Sequence, residues 1–403
     1  MTGNTFFSIE KIPDGRSGGS TQAETRVYNE RLVISLIRRH GQLSKVDLTR
    51  LTGLAPQTIT TIVNRAADNE LLLRRDPLRG RLGQPSVPYA LNPKGAYSFG
   101  LKIDHRSADV ALVDFVGEVI AFERSTFDYP MPNGIMTFAK SSMARMCRKH
   151  KSISLDRIAG LGIASPFHQR SWNEDFGVPT SRLDPWKQID IRAELDSLFE
   201  WPVYLFNDAM VSAGAELMFG SGLRCADFLY AYIGDHLGGG LVIDRHLFPG
   251  RNKLAGAIGD IAVPRHTRRT ESATQDTSLR YLASKLDARD SQRIWSPQES
   301  WDVLGGPLIE WIDEVSEGLA QVTRSAVALL DIDNLIVDGA IPGHVRKEIA
   351  KATRRKLVHP LHDRPEPFTV IEGAFGHLAP VIGGASIPLM VKYSNDKEAL
   401  FKD

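Results

Sequence analysis

The stretch LSKVDLTRLTGLAPQTITTIV, residues 43–63, decides how the N-terminal part of the chain folds. Ser44 can cap a short helix that ends at Gly53, and Pro56 suits the first turn of a second helix. Along that second helix, apolar residues share one face at Ile59, Ile62 and Val63. Two short helices joined by a glycine-containing turn are typical of a helix-turn-helix, whose second helix enters the major groove of DNA.

The residues on either side extend this unit. Upstream, Leu32, Val33, Leu36 and Ile37 recur at helical spacing and predict a first helix over residues 28–40. Downstream, apolar runs at 71–73 and 87–92 flank the basic turn RRDPLRGRLGQPS, as expected for a β-hairpin. The pattern predicts a winged helix-turn-helix over residues 25–92, preceded by a flexible polar arm over residues 1–24.

Positive charge is concentrated in the same segment. Residues 24–90 carry five more basic than acidic side chains, whereas the full chain has a net charge of +1. Such a basic segment is typical of a nucleic-acid-binding domain, although a solvated basic face gives the same count. Gln57 is the best candidate for a contact with adenine. The candidate DNA contacts are Ser44, Lys45, Gln57, Thr58, Thr61, Asn64, Arg65, Arg79, Arg81 and Gln84.

Length and composition restrict the class of protein. A chain of 403 residues is long enough for two or three domains, and 42% hydrophobic with 24% charged residues is the composition of a soluble globular protein. No uninterrupted apolar stretch is long enough to span a bilayer, and the N-terminus does not resemble an export signal. With two cysteines, Cys147 and Cys225, we expect a cytoplasmic protein without disulfides or a membrane partner.

Beyond residue 95 the sequence alternates between strand and helix patterns. Strand-like runs occur at YSFGLKI (97–103), DVALVDF (109–115) and IAGLGIA (158–164), with an amphipathic helix over residues 135–149. Later, a long helix over residues 307–330 leads into the apolar run NLIVDGA (334–340). This alternation predicts an α/β domain with two lobes and a cleft.

Several landmarks of this region occur together in one order. They are LVDFVGEVI (112–120), IAGLGIASP (158–166), WPVYLFNDAMVSAGAELMFG (201–220), IGDHLGGGLV (233–242), AGAIGD (255–260) and VDGAIPGHV (337–345). With the N-terminal helix-turn-helix, they make the chain resemble the ROK family from Arg26 to Met390. That family unites sugar-responsive repressors with bacterial sugar kinases. The resemblance implies an actin-like, ribonuclease H-type, sugar-kinase-like domain over residues 96–392, followed by a C-terminal tail over residues 393–403.

The chain departs from the kinases of this family in the turns that hold ATP phosphates. Where those kinases have an aspartate, paired glycines and a threonine, this sequence has Lys102, Asp104, His105 and Arg106. These side chains block the close backbone approach that a phosphate needs. In the second phosphate turn, Asp235 would repel a phosphate at short range. We therefore expect no kinase activity and no nucleotide cofactor.

The sugar-binding side is partly kept. Asn207 and Asp208 match the family's Asn-Asp pair, whose aspartate is the catalytic base in kinases, although Asn-Asp before a helix is also a good N-cap. The resemblance places Asp260 where the kinases have a sugar-binding histidine, and Arg280 where they have a sugar-binding glutamate. Arg280 would favour a ligand with a carboxylate or phosphate, or form a structural ion pair. The family's zinc-binding cysteines are absent from residues 265–284, so we expect no metal.

These observations favour a sequence-specific DNA-binding regulator of carbohydrate metabolism genes, expected to act as a repressor. Its partners would be a double-stranded DNA operator and a sugar or sugar-derivative effector. Two operator half-sites imply a homodimer or a dimer of dimers. The alternatives are an active ATP-dependent sugar kinase with an accessory DNA-binding domain, and a dimerisation scaffold without a ligand.

Overall fold

The computed structural model describes residues 22–77, 86–166, 184–264, 270–295, 300–357 and 367–395. Its N-terminal part contains helices α1 (Gln22–His40), α2 (Lys45–Thr52) and α3 (Pro56–Asp68). Strands β1 (Gln42–Ser44), β2 (Leu72–Arg74) and β3 (Pro88–Leu91) form an antiparallel sheet in the order β1-β3-β2. The predicted helices and hairpin strands are present, and α1 begins earlier than predicted, inside the segment expected to be an arm.

Local sequence explains where α2 and α3 begin and end. The Ser44 hydroxyl accepts a hydrogen bond from the Asp47 amide, and the Asp47 carboxylate accepts one from the Ser44 amide, which is a capping box. Gly53 ends α2 with φ at 69°, a left-handed conformation that glycine adopts without strain. Pro56 then occupies the first turn of α3, where its missing N–H costs no hydrogen bond.

Within the described residues, the first lobe is a five-stranded sheet with two helices. Its strands are β4 (Tyr97–Ile103), β5 (Ser107–Asp114), β6 (Val119–Thr126), β7 (Ile158–Ala164) and β8 (Val203–Phe206), in the order β6-β5-β4-β7-β8. Its helices are α4 (Pro132–Lys149) and α5 (Ile191–Asp196). Strands β4, β5 and β7 are buried along nearly their whole length, as expected for the central strands of a covered sheet.

The second lobe contains another five-stranded sheet and more helices. The elements in chain order are α6 (Asp208–Phe219), β9 (Phe228–Ile233), β10 (Leu237–Ile243), β11 (His246–Leu247), β12 (Ala262–Pro264), β13 (Thr270–Ser272), α7 (Thr274–Thr277), α8 (Leu279–Ser284), α9 (Ala288–Arg293), α10 (Gly305–Leu330), β14 (Asn334–Gly339), α11 (Gly343–Leu357), β15 (Thr369–Glu372) and α12 (Ala379–Tyr393). Strands β12 and β13 form a separate hairpin. The main sheet has the order β11-β10-β9-β14-β15.

The two main sheets repeat one topology. In each, three consecutive strands form an antiparallel meander, and two later strands add in parallel beside the first strand of the meander. The turn after the first strand of each meander, β4 or β9, therefore occupies an equivalent position in its lobe. In such sheets ligands bind at the carboxyl ends of the parallel strands. A ligand site is therefore expected at the ends of β4, β8 and β9.

Helices α6 and α12 pack together at the centre of the molecule, between the sheets. Helix α12 approaches the first sheet with backbone against backbone. A Cβ atom added at Gly100 on β4 would lie 1.9 Å from the Val381 carbonyl oxygen, and one at Gly162 on β7 would lie 1.9 Å from the Gly384 carbonyl oxygen. Both positions therefore require glycine, and the close contact fixes α12 on the first lobe.

The N-terminal helices share a hydrophobic core with the first lobe. Val33, Ile37, Leu48 and Ile59 are fully buried and belong to a continuous apolar cluster that also contains Phe115. Helix α1 contacts α12 directly. Among the described helices, none is both long enough and apolar enough to cross a membrane.

Candidate functional site

A cavity of about 410 Å³ lies between the two lobes. The ends of β4, β8 and β9 contribute to its wall, together with the loop at residues 253–260. Three of the four predicted ligand-binding residues line it: Asn207, Asp208 and Asp260. Arg280 on α8 is not among its lining residues, although the neighbouring Leu279 is. The volume is in the range of small-molecule sites.

Asn207 and Asp208 stand at the junction of β8 and α6. The Asn207 side chain accepts a hydrogen bond from the Met210 amide at 3.1 Å, so it is a helix cap as well as a cavity residue. Asp208 Oδ1 accepts one from the Ala209 amide at 2.8 Å. Burial raises the pKa of Asp208 to about 6, and the Asp104 carboxylate adds to this effect while Lys102 opposes it. The Asp208 carboxylate can therefore accept a proton or a sugar hydroxyl hydrogen bond near neutral pH.

A row of ionisable side chains crosses the cleft. Lys102 at the end of β4 is buried, and its Nζ lies 2.8 Å from Asp104 Oδ2. Asp104 Oδ1 lies 2.7 Å from Nδ1 of His105, and Nε2 of His105 lies 2.6 Å from Oδ2 of Asp235. Because Asp104 and His105 belong to the β4–β5 turn and Asp235 to the β9–β10 turn, this row joins the two lobes. Each of these residues was predicted to lie in its turn, but the contact between the two turns was not predicted.

The network shifts the pKa values of its members in opposite directions. Burial disfavours both charged forms of the Lys102–Asp104 pair, but their mutual attraction outweighs it. This attraction holds the pKa of Lys102 above its ordinary value and the pKa of Asp104 well below its ordinary value. Burial and the Asp104 carboxylate raise the pKa of Asp235 to about 6, against the effect of His105. The cleft therefore holds one firmly ionised ion pair and one carboxyl that titrates under mildly acidic conditions.

Donor atoms of Asp104, His105 and Asp235 all lie within 4.8 Å of one another. Two carboxylates and an imidazole are a suitable donor set for a divalent transition metal. Both imidazole nitrogens of His105 already contact carboxylates, however, so a metal ion would have to displace one of these contacts.

Further side chains of the cavity were missed by sequence reasoning. The Arg106 guanidinium lies over the Trp295 ring at 5.1 Å, and Lys253 Nζ lies 5.4 Å from the Phe206 ring centroid. His377, before α12, also lines the cavity. No local motif marks Lys253, Trp295 or His377, because each comes from a different part of the chain and joins the cavity only in the fold, whereas Arg106 belongs to the first phosphate turn identified from the sequence.

The exposed face of α3 carries the polar residues predicted to contact DNA. Gln57, Thr61 and Asn64 are exposed, while Thr58 is half-buried. Lys45 Nζ donates a hydrogen bond to Asn64 Oδ1 at 2.8 Å, so its charge lies on the same face. The spacing of the exposed residues, four and then three positions, places them along one side of the helix.

The remaining predicted DNA contacts have other surroundings. Ser44 is buried and its hydroxyl is hydrogen-bonded to Asp47 as part of the helix cap, so the exposed face does not include it. Arg65 forms an ion pair with Glu30 of α1. Arg79, Arg81 and Gln84 lie outside the described residues.

Arg38 of α1 attaches the N-terminal helices to the first lobe. Its Nη1 donates a hydrogen bond to the Phe115 carbonyl oxygen at 2.7 Å. Its guanidinium lies 4.9 Å from the Phe115 ring centroid and 5.2 Å from that of Phe219. Because Phe219 is the last residue of α6 and Asp208 is its first, one helix connects the cavity with this contact.

Two lobes that repeat one strand order around a charged cleft define an actin-like α/β protein with a sugar-kinase-like fold. The chain belongs to the ROK family, whose profile matches residues 110–390. The resemblance stated from the sequence is therefore confirmed, and so is the two-lobed α/β architecture.

Relatives of known name include regulators. The chain is 24% identical over 242 residues to the xylose repressor of Bacillus spizizenii, covering 60% of this chain and 62% of the repressor. It is 22% identical over 263 residues to the DNA-binding transcriptional dual regulator NagC of Escherichia coli K12, covering 62% of this chain and 61% of that protein. The chain thus matches somewhat less than two thirds of these relatives' lengths.

Solved structures with the same fold include both regulators and kinases. A ROK family transcriptional regulator, homologous to the E. coli MLC protein, superposes with a TM-score of 0.64 at 18% identity, covering 92% of this chain and 98% of its own. A ROK family glucokinase from Streptomyces griseus, in complex with glucose and AMPPNP, superposes with a TM-score of 0.54 at 20% identity, covering 72% of this chain and 99% of its own. These likenesses concern the fold.

Proposed function

We propose that the chain is a sequence-specific transcriptional regulator, a repressor of carbohydrate metabolism genes, whose affinity for DNA is controlled by a sugar bound between the lobes. The observation that carries the DNA-binding part is the exposed polar row of Gln57, Thr61 and Asn64 on α3, the second helix of a helix-turn-helix. Gln57 stands in the first turn, where recognition helices contact base edges. Glutamine suits adenine because it both donates and accepts a hydrogen bond.

The comparisons support this reading of the N-terminal part as a winged helix-turn-helix. The solved regulator superposes on 92% of the chain, whereas the glucokinase superposes on 72%. A superposition that covers 92% of the chain must include part of the N-terminal helices. One that covers 72% corresponds closely to the two lobes alone. The β2–β3 hairpin takes the place of the wing, and Arg79, Arg81 and Gln84, which lie between these strands in the sequence, are the proposed phosphate or minor-groove contacts.

The effector occupies the cavity beside Asn207 and Asp208. A carboxylate that accepts hydroxyl hydrogen bonds recognises a sugar without any chemical step. The side chains of Asp104, His105 and Asp235 fill the region between the two turns, where a kinase of this fold would cradle phosphates. A nucleotide would have to displace the cross-cleft contact of His105 with Asp235 and approach two carboxylates. The domain therefore binds its sugar without phosphorylating it.

Helix α6 carries the signal from the cavity to the DNA-binding helices. Its first residue, Asp208, contacts the effector, and its last, Phe219, contacts Arg38 of α1. A change in lobe closure on binding shifts α6 and, through Arg38, the position of α1 and the recognition helix. The coupling requires that the sugar bind the DNA-bound and released forms with different affinity.

The test is selection of binding sites from random duplexes by the purified protein, followed by the same selection with Gln57→Ala. We expect a palindromic site with two half-sites separated by one helical turn, and altered or lost sequence preference in the variant. Enrichment of no motif, or of the same motif by both proteins, would contradict the proposal.

An active sugar kinase is the second candidate, favoured by the raised pKa of Asp208, which suits a general base. ADP release in the presence of Mg·ATP and a panel of hexoses distinguishes the two. We expect no sugar-dependent ADP release above that of Asp208→Asn. Release that this substitution abolishes would establish the kinase instead.

A further inference from the structure

A second cavity, larger than the cleft, lies at the joint between α1 and the second lobe. Its volume is about 540 Å³. Helix α1 contributes one wall, and the β10–β11 turn and the end of α6 contribute the other. It lies away from Asp208 and Asp260, and it shares with the proposed coupling path the wall residue Arg38 and the end of α6.

Basic side chains from both walls meet in this cavity. Arg38 and Arg39 come from α1, and Arg245 comes from the β10–β11 turn. Arg39 and Arg245 are near enough that the positive charge of Arg245 adds to burial in lowering the pKa of Arg39. Asp244 is the one carboxylate among the described lining residues. The cavity thus brings together like charges from two parts of the molecule.

Unpartnered polar atoms also border the cavity. Nη2 of Arg38 and Oδ1 of Asn395 are buried and have no hydrogen-bond partner among the described residues, and both side chains line the cavity. A buried polar group without a partner is costly, so its presence in a wall suggests a ligand atom that completes it. A guanidinium N–H requires an acceptor, and an amide oxygen requires a donor such as a hydroxyl.

The backbone of the β10–β11 turn is unusual. Asp244 and Arg245 have φ values of 49° and 64°. Two-residue hairpins of this left-handed type ordinarily use Asn-Gly, and a side chain as large as arginine is strained there. The turn nevertheless places Arg245 in the wall facing α1, with its Nη1 held 3.1 Å from the Cys225 carbonyl oxygen.

We propose that this joint cavity is a second effector site, which binds a small hydroxylated metabolite carrying a phosphate or carboxylate group. The oxyanion lies between Arg39 and Arg245 and neutralises their repulsion, and guanidinium groups suit it because they donate paired hydrogen bonds to two of its oxygens. A hydroxyl of the ligand donates to Asn395. The bound anion ties α1 to the second lobe, so it adjusts the DNA-binding helices from a site distinct from the cleft.

The test is binding of anionic probes to the full chain at constant ionic strength. Thermal melting is followed with inorganic phosphate, glucose 6-phosphate or citrate, with glucose and sodium chloride as references. We expect at least one anion to raise the melting temperature in a saturable way. The probe that stabilises the protein identifies the anionic group of the ligand. Stabilisation by phosphate and glucose 6-phosphate indicates a phosphate group, and stabilisation by citrate indicates a carboxylate.

Four variants locate the site. Arg39→Gln and Arg245→Gln each remove one of two repelling charges, and Arg245→Gln also loses the hydrogen bond to the Cys225 carbonyl oxygen. We therefore expect ligand-free Arg39→Gln to be as stable as the wild type or more so, while anion affinity falls about tenfold or more in both variants. Arg354→Gln, on the exposed face of α11, is the matched control and should change neither the stability nor the anion affinity. Asp208→Asn should leave anion binding intact, which separates this site from the cleft.

Two results would overturn the proposal. One is stabilisation by none of the anions beyond that of sodium chloride. The other is stabilisation that persists undiminished in both Arg39→Gln and Arg245→Gln. Neither result bears on DNA recognition or on sugar binding in the cleft, which are measured separately.

Discussion

Replacing Asp208 by asparagine should stabilise the folded protein at pH 8 while abolishing its response to the effector. The raised pKa means that ionising this carboxyl in the folded protein costs free energy. Asparagine has nearly the same shape and keeps the oxygen that accepts the Ala209 amide hydrogen bond. The substitution therefore removes the cost of the charge without opening a cavity or losing the contact.

The pKa gives the magnitude and its dependence on pH. A rise from 3.8 to about 6 corresponds to about 3 kcal/mol, and because the side chain borders the cavity we expect about 1 to 3 kcal/mol. Since the folded-state pKa is above the unfolded value, the favourable contribution of Asp208 is complete below pH 3.8 and is lost as pH rises through about 6. The gap between variant and wild type should therefore narrow by about 1 kcal/mol from pH 8 to pH 5.

The assay is urea unfolding of both proteins at pH 5 and pH 8, with Asp260→Asn as the control. Asp260 is an exposed carboxylate of the same cavity, so its substitution should change stability little at either pH. Sugar-dependent shifts in the midpoint should be present in the wild type and absent in Asp208→Asn. The reasoning would be refuted if Asp208→Asn were less stable than the wild type at pH 8, or if the gap were the same at both pH values.

Three further predictions concern recognition, the cleft and the joint. Gln57→Ala should weaken specific DNA binding by about 1 to 3 kcal/mol, whereas Arg81→Ala should weaken binding to all sequences alike; equal small losses in a titration would argue against α3 as the recognition helix. Asp235→Asn removes the negative charge from the 2.6 Å contact with His105 and so weakens it, and amide exchange in the turns at 104–106 and 234–236 should accelerate; unchanged exchange would mean that the lobes are held together elsewhere. Arg38→Met loses a charged hydrogen bond and two ring contacts, which together contribute about 1 to 3 kcal/mol to the packing of α1 on the rest of the protein. The variant should still bind DNA, but sugar should change its DNA affinity less than in the wild type. An undiminished response to sugar would exclude Arg38 from the coupling.

Local signals in the sequence account for most of the fold. The start of α2 at Ser44 and its end at Gly53 follow from residue chemistry that acts within one helical turn. Apolar periodicity predicted α4 and α10 to within a few residues, and the order of motifs identified the family. These features depend on neighbours along the chain, which a sequence displays directly.

The charged contacts could not be predicted, because they depend on three-dimensional placement. The contact of His105 with Asp235 forms between turns of the two lobes, and neither turn alone indicates it. The position of Arg38 between Phe115 and Phe219 likewise requires α1 to pack on the first lobe. Arg280 was predicted to bind the ligand because it resembles a kinase position, but its side chain is not part of the cavity lining.

The central claim is that a sugar in the cleft changes sequence-specific DNA binding. The most direct measurement is fluorescence anisotropy of the purified protein with DNA from upstream of its own gene, against a scrambled duplex, at about 0.15 M salt, where purely electrostatic binding is weak. Sugars are then added to the specific complex. We predict tight binding to the upstream fragment alone and release by at least one sugar, with no release from the Asp208→Asn protein. Equal, weak binding to both duplexes, or a specific complex that no sugar affects, would contradict the account.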